Sequence, residues 1–220
     1  MTDPRTDIMG VILAGGAARR MGGGDKGRLS LGPLTMIEAV VARLHPQCRA
    51  LVLNANGDPA RFSDLGLEVV PDSLPGLPGP LAGVLAGMDH AATRGYGHIL
   101  TAAADTPFLP AGLAGALWRA KTPETPIVLA ATEDPASGRM VRHPTFGLWP
   151  VSLREDLRQA LTAGVSKIVL WTERHGTGWV RFPTEPFDPF FNVNAPGDLD
   201  TARRLAPLIF GLDRQPPAGS

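Results

Sequence analysis

Apolar residues along this chain come in short runs whose spacing switches between strand and helix periods. The first run, IMGVILA at 8–14, is continuous and breaks at Gly15 and Gly16, which predicts a strand buried on both faces of a parallel sheet. Residues 34–45 then space Met36, Ile37, Val40, Val41 and Leu44 for a helix, with Pro46 just beyond. Strands are predicted at 51–54, ending at Asn54, and at 67–70, ending before Asp72. A Pro/Gly loop over 73–80 leads into a helix marked by Leu81, Val84, Leu85 and Met88. The run HILTAAA at 98–104 reads as a fourth strand that stops at Asp105. A helix at 111–120, strands at 127–131 and 145–149, and a helix through Leu153, Leu157 and Leu161 follow. Residues 166–175 fit a buried strand or a helix equally. A strand near 179–182 precedes a last helix from Pro196, with Asp198 in its first turn.

Strand–helix alternation of this kind predicts an α/β fold in three layers, with a mostly parallel central sheet and helices on both faces. Ligands of such sheets bind beyond the carboxyl ends of the strands, where the strand order reverses. Gly15 and Gly16, Asn54, Asp72 and Asp105 all stand at such strand ends. Asp, Asn and Gly also favour turns for local reasons. Four of these positions beside a basic glycine loop point to a site.

That loop is LAGGAARRMGGGDK at 13–26. Glycines let a backbone approach a ligand and present its amides to anions. Arg20 and Lys26 add a planar fork and a point charge suited to a polyphosphate. A P-loop needs Ser or Thr after Gly-Lys, and Lys26 lies between Asp25 and Gly27, so that motif is absent. Gly22, Gly24 and Gly27 satisfy G-x-G-x-x-G, but too far from the strand end for a dinucleotide fold, and Asn54 stands where a ribose-binding acid belongs. Asp105 is the candidate metal ligand: a hard carboxylate at a strand end suits Mg²⁺, which takes one or two carboxylates plus substrate phosphates. A helix-capping role would explain the same residue. The five histidines lack metal-ligand spacing, and no G-x-S-x-G elbow offers a nucleophile.

Composition narrows the setting. Lys and Arg number 21 against 21 Asp and Glu, so the net charge is zero and a broadly basic nucleic-acid surface is excluded. Cys48 stands alone, without a partner for a disulfide or zinc ribbon, and no run of about 18 apolar residues suggests a membrane span. A cytoplasmic protein with neither nucleic acid nor membrane as partner is expected. The 26 Gly and 22 Pro punctuate apolar runs instead of forming tracts. One domain over 8–210 is expected, between a disordered N-terminus at 1–7 and a flexible tail at 211–220.

Five blocks in order carry a resemblance: L-A-G-G-x-x-x-R-M-G-G-x-D-K-like 13–26, NAN at 54–56, Asp72 with GPLAG at 79–83, ADTP at 104–107, and FNVNAPGDL at 191–199. Together they resemble nucleotidyltransferases of the molybdenum cofactor guanylyltransferase (MobA-like) family, over roughly residues 8–205. The resemblance implies a Rossmann-like nucleotidyltransferase fold and transfer of GMP from GTP to the terminal phosphate of molybdopterin, with release of pyrophosphate and Mg²⁺ as cofactor. It further implies that Leu13, Ala14, Gly15 and Gly16 meet guanine and ribose, with Asn54, Asp72 and the Pro80, Leu81, Ala82, Gly83 segment around the nucleotide. Lys26 and Arg20 would hold the triphosphate, and Asp105 the metal; these three are the candidate catalytic residues. Asn192 and Asn194 would face the pterin. GTP and molybdopterin are the implied substrates, with room for transient contact with molybdoenzyme maturation proteins. Arg142 and Lys167 are candidates for the pterin phosphate, against a plainer reading as exposed charges. Cytidylyl transfer to the same pterin, a sugar-phosphate nucleotidyltransferase and a non-catalytic cofactor carrier are the alternatives.

Overall fold

A computed structural model describes residues 4–15, 25–74, 76 and 79–211. Seven strands form one sheet: β1 (Ile8–Leu13), β2 (Ala50–Asn54), β3 (Glu68–Val70), β4 (His98–Ala103), β5 (Ile127–Glu133), β6 (Met140–Pro150) and β7 (Thr177–Arg181). Their spatial order is β3-β2-β1-β4-β6-β5-β7. Every pairing is parallel except those of β6, which runs against both β4 and β5. The helices are α1 (Met36–Leu44), α2 (Pro80–Thr93), α3 (Leu113–Ala120), α4 (Arg154–Thr162), α5 (Ile168–Thr172) and α6 (Pro196–Phe210). This is a single α/β domain, as the alternating pattern predicts.

The chain steps from β1 outward to β2 and β3, then back across to β4. Right-handed crossovers travelling in opposite directions put their helices on opposite faces of a sheet. Accordingly α1 lies opposite α2. Helix α3 shares the α1 face although its β4–β5 crossover travels the same way as that of α2, and together α1 and α3 bury Ile37, Val40, Leu44, Leu113 and Leu117 there. On the other, α2, α4 and α5 bury Val84, Leu85, Met88, Leu157, Leu161 and Trp171. Each such side chain contributes about 1.5–3 kcal/mol on burial. A third cluster packs Leu199, Ala202 and Ala206 of α6 with Met36 and Ala39 of α1 and with Phe108 and Val193. Local chemistry sets the helix starts: Thr35 and Glu38 form a reciprocal capping box at α1, and Pro80 opens α2. The ambiguous stretch resolves as α5, where Ile168 and Trp171 bury together at helical spacing while Leu170 is exposed.

The termini depart from expectation in one place. Residues 4–7 form a 3₁₀ turn instead of a disordered lead. Asp7 ties it down, accepting from the Gly97 amide at 2.9 Å and pairing with His98 Nδ1 at 2.7 Å. Lys121 Nζ lies 3.2 Å from His98 Nε2; an ammonium only donates, so Nδ1 carries the ring proton and gives it to Asp7. Burial lowers the His98 pKa below its usual value, with Asp7 opposing. Residues 1–3 and 212–220 of the expected termini lie outside the described residues. Burial pushes the Cys48 thiol up to about 12, so it behaves as packing. Among the described residues, no helix is long and apolar enough to cross a membrane.

Candidate active site

A cleft of about 490 Å³ opens where the strand order reverses, at the carboxyl ends of β1 and β4. The size is that of a small-molecule site. Two walls and a floor build it. The first wall carries Asn54, the last residue of β2. Its Nδ2 donates to the Val70 carbonyl at 3.1 Å and to Asp72 Oδ1 at 2.9 Å. Asn56 grips Asp72 in both directions: its Nδ2 donates to Oδ2 at 2.6 Å, and its Oδ1 accepts the Asp72 amide at 2.9 Å. The carboxylate is thus aimed by two amides and still faces the cleft.

Gly83 explains how Asn54 fits. A Cβ at that position would fall onto Asn54 Oδ1 and lie 2.9 Å from Leu13 Cδ2. Gly83→Ala is therefore expected to push Asn54 from Asp72 and raise the KM for the cleft's substrate by about tenfold, with a loss of about 1–3 kcal/mol from overpacking. Unchanged KM and thermal midpoint in that variant would show that Asn54 is free to shift.

The floor is a cation socket. Lys26 opens a 3₁₀ turn, Lys26–Arg28, whose middle residue Gly27 is buried. A Cβ on Gly27 would press on Ile37 Cβ at 3.3 Å and Ala104 Cβ at 3.4 Å, so the missing side chain lets Lys26 sit directly beside Asp105. Lys26 Nζ donates to Asp105 Oδ2 at 2.8 Å, Asn192 Oδ1 at 3.3 Å and Asn194 Oδ1 at 2.5 Å. All three ammonium protons therefore have oxygen acceptors. The asparagines arrive together because 191–195 is docked through Val193: its amide donates to the Asp105 carbonyl at 3.1 Å and its side chain is fully buried. Its two neighbours, Asn192 and Asn194, both reach the Lys26 ammonium. Asp198 holds that approach, accepting the amides of Asn194 and Ala195 at 2.9 and 2.8 Å.

The opposite wall includes Thr145, delivered by an irregularity in β6. Leu129 pairs with Gly147 but Ala130 with His143, so Pro144, Thr145 and Phe146 bulge from the ladder. Behind it His143 stacks on Phe190 at 4.5 Å and pairs with Thr132 at 2.8 Å; burial lowers its pKa.

Of the sequence candidates, Leu13, Ala14, Gly15, Lys26, Asn54, Asp72, Pro80, Asp105 and Asn192 all line this one cleft. Asn194 joins through Lys26. Leu81, Ala82 and Gly83 do not line it: they turn into the buried body of α2, and Gly83 meets the cleft only through Asn54. Gly16 and Arg20 lie outside the described residues. Arg142 lies over the Trp179 ring at 5.1 Å and 3.9 Å from Glu173, away from the lining. Lys167 is an exposed residue at the start of α5 and is also absent from the lining. Asp25 and Asn56, quoted in the sequence blocks without a site role, and Phe62 and Thr145, outside them, also line the cleft. Asn56 was within reach, two residues from Asn54 on the same side of an extended chain; Thr145 had no local signal.

The comparisons agree with this architecture. A family model described as the MobA-like NTP transferase domain matches residues 10–176. A molybdenum cofactor guanylyltransferase of Nitrobacter hamburgensis is 50% identical over 214 residues, covering 96% of this chain and all of that protein. One from a Bradyrhizobium species is 48% identical, covering 92% and 95%. Among solved structures, molybdopterin-guanine dinucleotide biosynthesis protein A of Archaeoglobus fulgidus superposes with a TM-score of 0.65 at 26% identity, covering 90% of this chain and 98% of that one. A 4-diphosphocytidyl-2C-methyl-D-erythritol synthase of Anaerococcus prevotii, at 14% identity and a TM-score of 0.68, shares the fold, covering 93% and 97%. With its crevice at the β1–β4 reversal and its sequence matched over more than nine-tenths of its length by such relatives, the chain belongs to the MobA-like NTP transferase family, in the branch of the molybdenum cofactor guanylyltransferases.

Proposed function

We propose that this chain transfers GMP from GTP to the terminal phosphate of molybdopterin, forming the guanine dinucleotide cofactor and releasing pyrophosphate. An oxygen of the acceptor phosphate bonds to the α-phosphorus as the bond from that phosphorus to the α–β bridging oxygen breaks. The observation that carries this reading is the convergence of Asp105, Asn192 and Asn194 on the Lys26 ammonium at the cleft floor. A cation held there would stand between a nucleotide on the Asn54–Asp72 wall and a second substrate at the 191–195 loop, which supports the reading.

The acceptor oxygen is already ionised near neutral pH, so no strong base is needed. What the reaction requires is that two mutually repelling anions be held in line. Backbone groups of Leu13, Ala14 and Gly15 take the nucleoside with Asn54 and Asp72, and Lys26, with Arg20, takes the phosphates. Asn192 and Asn194 face the pterin. Lys26 also counters charge that develops on the α-phosphate and the leaving pyrophosphate.

A divalent cation fits this floor. Among the described residues no three His, Cys, Asp or Glu side chains cluster, so a closed protein cage is absent. Asp105 gives only Oδ2 to Lys26 and its side chain is a quarter exposed, so a hard carboxylate oxygen remains, of the kind that Mg²⁺ completes with water and substrate phosphates. Asp105 would hold the ion, which supplies Lewis-acid stabilisation of phosphoryl charge. A cytoplasmic setting goes with this reading, supported by a single cysteine that has no partner in the chain for a disulfide.

The test is pyrophosphate release with GTP, Mg²⁺ and molybdopterin, with the dinucleotide identified by mass. GTP-dependent product is expected, with CTP a poor substitute. Preference for CTP would move the chain to cytidylyl transfer, a sugar phosphate as the better acceptor would replace the pterin, and nucleotide binding without turnover would leave a carrier.

A further inference from the structure

We infer that Arg61 is a positioning residue that couples the nucleoside wall of the cleft to the phosphate-binding floor. It stands outside all five sequence blocks, in the 3₁₀ turn Pro59–Leu65 that follows β2. Its guanidinium reaches both sides at once. Nε pairs with Asp25 Oδ2 at 3.0 Å, and Asp25 immediately precedes Lys26. Nη2 donates to the Asn56 carbonyl at 2.7 Å, and the Asn56 side chain grips Asp72 in both directions. Its plane lies over Phe62, a buried cleft-lining ring, at 4.8 Å from the centroid.

The turn is itself braced from the Lys26 side. Arg28 lies 5.1 Å from the same Phe62 centroid, donates to the Arg61 carbonyl and forks onto Asp64. The Asp64 partner raises the Arg28 pKa, and Arg28 holds Asp64 low in turn. Two arginine–carboxylate pairs and one aromatic ring therefore lock Asp25 through Arg28 against the turn. Only Arg61 extends the lock to Asn56, and through it to Asp72. A planar fork that satisfies two acceptors in fixed directions suits this task, and an ammonium does not.

This inference rests on the guanylyl-transfer reading, because it assumes that one nucleotide spans both walls. Lys26 keeps its own anchors on Asp105, Asn192 and Asn194, so loss of Arg61 costs alignment of the nucleotide more than chemistry. Arg61→Ala is expected to raise the KM for GTP about tenfold, lower kcat less than about threefold and leave the KM for molybdopterin unchanged. Arg61→Lys recovers part of the loss, since its ammonium meets Asp25 but cannot also fork onto Asn56.

Steady-state kinetics in both substrates, with thermal midpoints, carries the test. The wild-type protein is assayed first: if it makes no dinucleotide, the guanylyl-transfer reading fails before Arg61 is touched. With active wild type, an unchanged KM for GTP in Arg61→Ala overturns the positioning role. So does an equal rise in both KM values. A fall in kcat alone, as a smaller folded fraction would produce, overturns it too. If Arg61→Ala does not fold, Arg61→Lys decides: an intermediate KM for GTP supports the role, and wild-type KM or failure to fold overturns it.

Discussion

Lys26→Ala is expected to cut turnover by about 10²–10³ while the protein stays folded, the usual cost of deleting one preorganised charge. Lys26 is the only cationic side chain among the described residues that line the cleft, and its side chain is 14% exposed. Its removal leaves Asp105, Asn192 and Asn194 pointing at a common empty position, and the incoming triphosphate then meets a carboxylate without its counter-charge. The fold survives because these acceptors face a cleft that water enters, so none is stranded in the core. Lys26→Arg is not a rescue. A planar fork is larger than a three-proton point charge and cannot meet three converging oxygens in the same socket. Single-turnover assays with circular dichroism as a control make the measurement. Turnover within about threefold of wild type in folded Lys26→Ala would remove Lys26 from the phosphate role.

Asp105→Ala is expected to cost a comparable 10²–10³, and Asp105→Asn separates the two tasks the carboxylate can have. If Asp105 serves only to hold Lys26, an amide oxygen in the same place keeps that hydrogen bond and most of the activity. If it also holds a divalent cation, the loss of charge weakens metal affinity, and half-maximal activity of the Asn variant shifts to higher Mg²⁺ concentration. The second result is the one expected, because the side chain is a quarter exposed to the cleft beyond its contact with Lys26. An Asn variant with an unshifted Mg²⁺ titration and near-normal turnover would confine Asp105 to positioning the lysine.

The parts of this site that depend on local chemistry were legible in the chain. Continuous apolar runs identify the buried strands, because strands covered on both faces have no solvent side to alternate with. Polar residues that stop those runs fall at the carboxyl ends for the same reason, which is why Asn54, Asp72 and Asp105 could be named before any contact was known. Gly27 and Lys26 were visible as a loop, but not as a socket.

What the tertiary structure alone decided is how distant segments meet. The three oxygens on Lys26 come from positions 79, 166 and 168 residues away in the chain, and no periodicity encodes that meeting. Strand pairing brings Asp105 beside the end of β1, and a buried Val193 swings the asparagines in. The same holds for Thr145, which depends on a register shift between β5 and β6. Leu81 and Ala82 sat in the right motif yet point into the core, because a helix that begins at the cleft rim turns its next residues inward within one turn. Arg61 escaped notice since a lone arginine in a polar turn has no pattern; only its contacts with Asp25 and Asn56 give it meaning. Sequence thus specified which groups this protein possesses and where most local elements lie, though not the full length of β6 or the helical state of α5. The cation socket and its braces exist only because non-local packing decides which of those groups share a few ångströms.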